Sequence, residues 1–187
     1  TEWIHHHDAS GQPIVIRPVR PEDAEAHAAF FARLSPEDVR YRFFSAIRAL
    51  STEQIARLTQ VDYEREMALL AVRPDGSTVG VARLVREMDT GEAEFAIVVQ
   101  ADAKGHGVAS ALMRQLLAWG RAKGVREVVG QVLADNAPML AFVRSLGFAT
   151  RRSRVFRGPA AALVGRHLLP ALAQRFALGV RQRAQFG

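Results

Sequence analysis

The run Lys104-Gly105-His106-Gly107-Val108-Ala109-Ser110 has the residue types and spacing of an anion cradle. Glycines at 105 and 107 lack the β-carbons that would hold a ligand off the backbone, and successive N–H groups at a helix start attract negative charge. Lys104 adds a cation and Ser110 a hydroxyl. The run lies between the apolar stretch Phe95 to Val99 and the helical stretch Ala109 to Trp119. A strand, a glycine turn and a helix around a phosphorylated ligand are therefore expected. Two spaced glycines also occur at strand-to-helix connections for purely geometric reasons, so the run needs its context. His106 reads as an exposed turn residue or as an extra donor.

Composition narrows the field. The chain has 187 residues, about half of them apolar, and no cysteine. That suits one domain with a real core, and it excludes a disulfide framework and thiol catalysis. The net charge of +6 is nearly all arginine, since Lys104 and Lys123 are the only lysines. The one dense cluster, Arg151, Arg152, Arg154 and Arg157, has no interleaved tyrosine or tryptophan for base stacking, so a solvated strand face is expected there and no nucleic-acid partner. No apolar run of membrane-spanning length and no signal-peptide pattern is present, which points to no membrane partner and a cytoplasmic location. Three adjacent histidines, His5 to His7, cannot all face one metal from a strand or helix, and no metal is expected.

The elements that must position the glycine run follow from local pattern. Residues 1–12 read as an N-terminal tail and 13–187 as a single domain, with 158–187 a C-terminal extension of unsettled structure. Ile14 to Val19 alternates as a strand. Pro21-Glu22-Asp23 opens a helix, Ser35-Pro36 a second with Ser35 as cap, and Ser51-Thr52-Glu53-Gln54 a third with a capping box, ending near Thr59. Met67 to Val72 and Thr78 to Arg86, joined by Arg73-Pro74-Asp75-Gly76, read as a hairpin. Strands follow at Glu92 to Gln100, Glu127 to Leu133 and from Phe148, with a helix from about Ala137 to Leu146. The last stretch reads as a strand through Leu163 to Leu169 and then a helix from about Pro170, or as one helix broken there. The class is mixed α/β (α+β).

In this context the glycine run resembles the signature of the GNAT superfamily of N-acetyltransferases: Gln or Arg, two residues, Gly, one residue, then Gly or Ala. Lys104, Gly107 and Ala109 occupy those positions, with lysine replacing the usual first residue. Asn136 and Leu146-Gly147-Phe148 match the family's last conserved helix and strand, and the resemblance covers roughly Ile14 to Phe148. Arg42-Phe43-Phe44, Thr59-Gln60-Val61-Asp62-Tyr63, Glu66-Met67-Ala68 and Glu92-Ala93-Glu94-Phe95-Ala96 are similar to the acetyltransferase domain of bacterial Pat-type protein lysine acetyltransferases. The resemblance implies a central mixed, mostly antiparallel sheet of six to seven strands with flanking helices. Its fourth strand is expected to splay from its parallel neighbour, the fifth, at a bulge.

It also implies acetyl-CoA as co-substrate, without a metal, and a protein lysine as acceptor, acyl-CoA synthetases among the candidates. A small-amine acetyltransferase and a non-catalytic acyl-CoA sensor are the alternatives. The run from Lys104 through Gly105, His106, Gly107, Val108 and Ala109 to Ser110 would hold the pyrophosphate, with Asn136 beside it, and Ile97, Val98 and Val99 would pair with pantetheine. A lysine amine with a pKa of about 10.4 is protonated at neutral pH, so a base is needed. Glu94 is the candidate, because Glu92, Glu94, Ala96 and Val98 share one strand face and similar domains use a glutamate from this strand; Glu92 is the alternative. Asp62, Tyr63 and Glu66 either recognise the incoming amine or cap and pack the third helix. The tyrosine that protonates the leaving thiolate in many relatives is missing, since Val143 stands in its place. The oxyanion donor is expected to be the backbone N–H near Val98.

Overall fold

The computed structural model describes residues 4–152 and 177–183. Its strands are β1 (Ile4–His7), β2 (Pro13–Pro18), β3 (Glu66–Val72), β4 (Thr78–Arg86), β5 (Glu92–Val99), β6 (Glu127–Leu133), β7 (Ala149–Arg152) and β8 (Ala177–Arg183). They form one sheet in the order β1-β2-β3-β4-β5-β6-β8-β7, antiparallel throughout except where β5 meets β6. The helices are α1 (Ala24–Ala32), α2 (Pro36–Phe43), α3 (Thr52–Thr59), α4 (Val108–Ala122) and α5 (Ala137–Ser145). Among the described residues no helix is long and apolar enough to cross a membrane.

Local chemistry explains most boundaries. Ser35 Oγ accepts from the Asp38 N–H at 3.1 Å, and Pro36 opens α2. Ser51 and Gln54 make the reciprocal capping box of α3, at 3.1 and 2.8 Å. Asn136 Oδ1 caps α5 through the Met139 N–H at 3.2 Å. Helix α4 buries Val108, Leu112, Met113 and Leu116 against β4. Two glycines permit that close approach: a β-carbon at Gly80 would meet Leu112 Cδ1 at 3.0 Å, and one at Gly120 would meet Leu84 Cδ2 at 3.0 Å. On the opposite face Val19, Phe30, Leu70, Val81 and Val98 form a smaller core under α1.

Three expectations change. Residues 4–12 are not a tail: Ile4–His7 pairs with β2, His5 opposite Val15, and residues 8–12 fold into a turn. The alternation of Ile4 and the histidines becomes a strand only because the edge of β2 is there to receive it. Among the described residues the sheet has eight strands rather than six or seven, because Ile4–His7 adds β1 at one edge and Ala177–Arg183 forms β8 between β6 and β7. The helix expected from about Pro170 does not run on through Ala177 and Leu178, because ladders on both sides, with Val180 opposite Gly130 and Thr150, hold these residues in a strand. The strand expected at 163–169 and the start of the helix expected from Pro170 lie outside the described residues.

The third change concerns the splay. Strands β5 and β6 pair only at Glu92 with Glu127, Ala93 with Val128 and Glu94 with Val129. The β4–β5 register runs unbroken from Gly80–Val99 to Arg86–Ala93, so no bulge on that side drives the divergence. An aromatic ring bridges the two strands where their pairing ends. The Phe95 ring lies over Gly130, where a β-carbon would come within 2.3 Å of Phe95 Cε1, and it packs edge-on against Phe148 at 5.3 Å between centroids.

Candidate active site

Beyond Glu94 the two parallel strands part, and a cavity of about 690 Å³ opens between them. Its floor is β5 from Glu94 to Val99, its sides are the glycine turn and the start of α5, and α2 closes over it.

Hydrogen bonding decides which backbone groups face this cleft. The Gln100 N–H donates to the Val79 carbonyl at 2.8 Å, and the Glu87 N–H donates to the Glu92 carbonyl at 2.8 Å. Both pairs are directly opposite in the antiparallel register, so the even-numbered residues of β5 exchange their bonds with β4. The backbones of Phe95, Ile97 and Val99 therefore point toward β6, which no longer pairs with them. Val98 turns its own N–H to β4 and contributes its side chain to the cavity, so the cleft-facing N–H groups near Val98 are those of Ile97 and Val99.

Glu94 lines the cavity and is 6 % exposed. It shares a strand face with Ala96 and Val98, as the alternation required. Arg42 of α2 lines the same cavity. Burial, then the positive charge of Arg83, bring the Arg42 guanidinium down to about 10, while Glu94 acts in the opposite sense. Arg42 thus stays cationic at neutral pH in the cavity that Glu94 also lines. Glu92 lies outside the cavity, with Arg181 3.5 Å from its carboxylate.

At the turn, Gly105 and Gly107 have φ of +76° and +82°, and a β-carbon on either would meet no atom within 4 Å. Open space thus borders the turn. Helix α4 starts at Val108 with no side-chain cap on its N-terminus, and its first intrahelical bond runs from the Ala111 N–H to the Gly107 carbonyl at 3.0 Å. The N–H groups before Ala111 remain without intrahelical acceptors, an arrangement that fits a pyrophosphate. Lys104, Gly105, Gly107, Ala109, Ser110 and Asn136 all line the cavity. His106 and Val108 do not: Val108 is core, and the His106 carbonyl accepts from the Ala9 N–H at 2.9 Å. The Lys104 ammonium is held by Asp38 of α2.

Asp62, Tyr63 and Glu66 do not line the cavity, and of their two readings the contacts they make agree with packing beside the third helix. Asp62 Oδ1 accepts from the Glu64 N–H, and the Tyr63 hydroxyl donates to the Val19 carbonyl. Glu66 pairs with Arg83 at 2.8 Å; Arg83, 1 % exposed, also donates to the Leu58 carbonyl. A buried guanidinium must find acceptors, and Glu66 supplies one. The residues that sequence reasoning missed are Asp38, Tyr41 and Arg42, all from α2. Their only signal was the phrase Arg42-Phe43-Phe44, because a helix's own sequence does not say over which cleft it docks. The Tyr41 hydroxyl shares its one proton between Glu37 Oε1 at 3.1 Å and the Asp135 carbonyl at 3.3 Å, tying α2 to the start of α5.

A parallel pair that splays, a glycine turn at the start of the following helix, and a buried glutamate in the cleft are the architecture of an acyl-CoA-dependent transferase. The profile of the acetyltransferase (GNAT) domain matches residues 14–149, and the chain belongs to that family. It is a GNAT-type N-acetyltransferase, and enzymes of this family use acetyl-CoA. The chain is 33% identical over 153 residues to acetyltransferase PA5475 of Pseudomonas aeruginosa, covering 80% of this chain and 82% of that one. Its fold matches the GNAT domain of S. lividans PAT with a TM-score of 0.81 at 25% identity, over 97% of this chain and 96% of the other. Spermidine N-acetyltransferase from Vibrio cholerae, solved with CoA and spermine, shares the fold at a TM-score of 0.67 and 13% identity, over 91% and 95% of the two chains.

Proposed function

We propose that the protein transfers an acetyl group from acetyl-CoA to the ε-amine of lysine in a protein substrate, with Glu94 as general base. The observation that carries this reading is the buried Glu94 carboxylate at the point where β5 leaves β6, in the same cavity as the open glycine turn. The Pat-type phrases and the similarity to the S. lividans PAT domain over nearly the full chain support the choice of acceptor.

Acetyl-CoA supplies the activated thioester. The N–H groups of Gly105, Gly107, Ala109 and Ser110 hold its pyrophosphate, and the backbones of Ile97 and Val99 pair with pantetheine. Glu94 takes a proton from the lysine ammonium, and the freed amine attacks the thioester carbonyl. The new N–C bond forms and the C–S bond breaks, CoA departs as a thiolate, and the excess proton left on the attacking nitrogen passes to that thiolate. With a thiol pKa of about 8.5 that leaving group needs little help, which fits a site where Val143 replaces the usual tyrosine.

The test is incubation with labelled acetyl-CoA and either a bacterial lysate or a panel of polyamines and amino acids, with mass spectrometry of the products. Acetylated protein lysines are expected. Label confined to small amines refutes the acceptor assignment, and acetyl-CoA binding without transfer to any amine refutes the catalytic one.

A further inference from the structure

The turn at residues 8–12 was read from sequence as part of a tail, yet it touches the pyrophosphate loop. Asp8, 7 % exposed, gathers three donors on one carboxylate oxygen: the Ser10 N–H at 2.9 Å, the Ser10 hydroxyl at 2.6 Å and the Gln12 N–H at 2.9 Å. Two backbone bonds, Asp8 N–H to the Gln12 carbonyl and Gly11 N–H to the Asp8 carbonyl, both 2.9 Å, close the same turn. The carboxylate thus organises a turn whose next residue, Ala9, donates its N–H across to the His106 carbonyl at 2.9 Å.

That bond sets the orientation of a peptide plane. In a trans peptide the C=O and the following N–H point in opposite directions, and the described chain has no cis bonds. Holding the His106 carbonyl toward Ala9 therefore turns the Gly107 N–H away from Ala9. Gly107 lines the cavity, whereas no residue of the 8–12 turn does. Because glycines flank His106 and tolerate many backbone conformations, the loop has little stiffness of its own to keep that plane in place.

We infer that Asp8 is a positioning residue for the donor site: through the Ala9–His106 bond it aims the Gly107 N–H at the pyrophosphate of acetyl-CoA. The inference rests on the pyrophosphate assignment made under the proposed function. Its test compares wild type, Asp8→Ala, Asp8→Asn and Ala9→Pro, the last removing the donated N–H itself. CoA affinity is measured by calorimetry, and turnover with S-acetylpantetheine, which lacks the pyrophosphate, is measured alongside. One anion-directed hydrogen bond predicts an about tenfold weaker CoA affinity in Asp8→Ala and Ala9→Pro. Turnover of S-acetylpantetheine stays unchanged, and Asp8→Asn, which keeps the acceptor oxygen, restores most of the CoA affinity. Unchanged CoA affinity in both disruptive variants overturns the inference, and so does an equal loss on both donors, which marks a general folding defect. Failure of wild type to bind CoA instead refutes the pyrophosphate site itself.

Discussion

His27 makes the stability of this fold depend on acidity in a way that can be worked out from its surroundings. It sits in α1, 5 % exposed, and its Nδ1 has no hydrogen-bond partner among the described residues. Burial is the main influence; Arg83 of β4 and Arg42 of α2 add positive charge, and only Asp23, just before α1, favours protonation. Together they lower the imidazole from 6.5 to about 4. In the unfolded chain His27 takes up its proton near 6.5, so between that pH and about 4 the unfolded state binds more protons than the folded one. Stability is therefore complete above about pH 6.5 and declines as pH falls toward 4. A gap of about 2.5 pH units, at ~1.4 kcal/mol each, sets the loss at about 3 kcal/mol by pH 4. The assay is urea unfolding at intervals from pH 7.5 to 4, for wild type and His27→Leu. Carboxylates titrate in both proteins, so the difference between the two curves isolates the imidazole. His27→Leu should lose about 3 kcal/mol less than wild type over this range. Parallel curves would show that the His27 environment is not as dry or as positive as its neighbours indicate.

Three further outcomes bear on the site. Glu94→Gln should lower kcat by about 10²–10⁴ while leaving CoA affinity unchanged in calorimetry, and near-normal turnover would remove Glu94 from the mechanism. Gly130→Ala forces a β-carbon into the Phe95 ring and should cost ~1–3 kcal/mol in chemical denaturation, together with weaker CoA binding if the displaced ring moves the cavity wall it lines; wild-type values for both would show that the ring moves aside without cost. Glu66→Ala leaves the Arg83 guanidinium buried without its carboxylate and should cost about 3–5 kcal/mol. The milder Glu66→Gln should keep the wild-type KM for the acceptor, whereas a raised KM in a stably folded Glu66→Gln enzyme would return Glu66 to the substrate-binding set.

Much of the fold was legible because its signals are local. Ser35, Ser51 and Asn136 act on N–H groups three residues ahead, and the Arg73-Pro74-Asp75-Gly76 turn joins strands that pair with each other. The face of Glu94 was legible for the same reason, since side chains alternate along any strand whatever it pairs with. Elements whose identity depends on distant partners were misread. Strand β1 exists because β2 offers an open edge, and β8 because β6 and β7 leave a gap between them. Lys104 was assigned to the ligand, but Asp38, brought over the turn by α2, holds its ammonium in this structure.

The sequence by itself determined the glycine turn, the strand before it and the helix after it, and with them the chemistry of anion binding, because those properties reside in residue types and their spacing. Tertiary structure decided which groups face the ligand. The register of β5 on β4 turns the backbones of Ile97 and Val99, not Val98, toward the cleft. The ring of Phe95 sits over Gly130 where the cleft begins, the docking of α2 brings Arg42 into the cavity that Glu94 lines, and the buried Arg83 engages Glu66 outside it. Each outcome depends on contacts between residues far apart in the chain, and no local pattern encodes them.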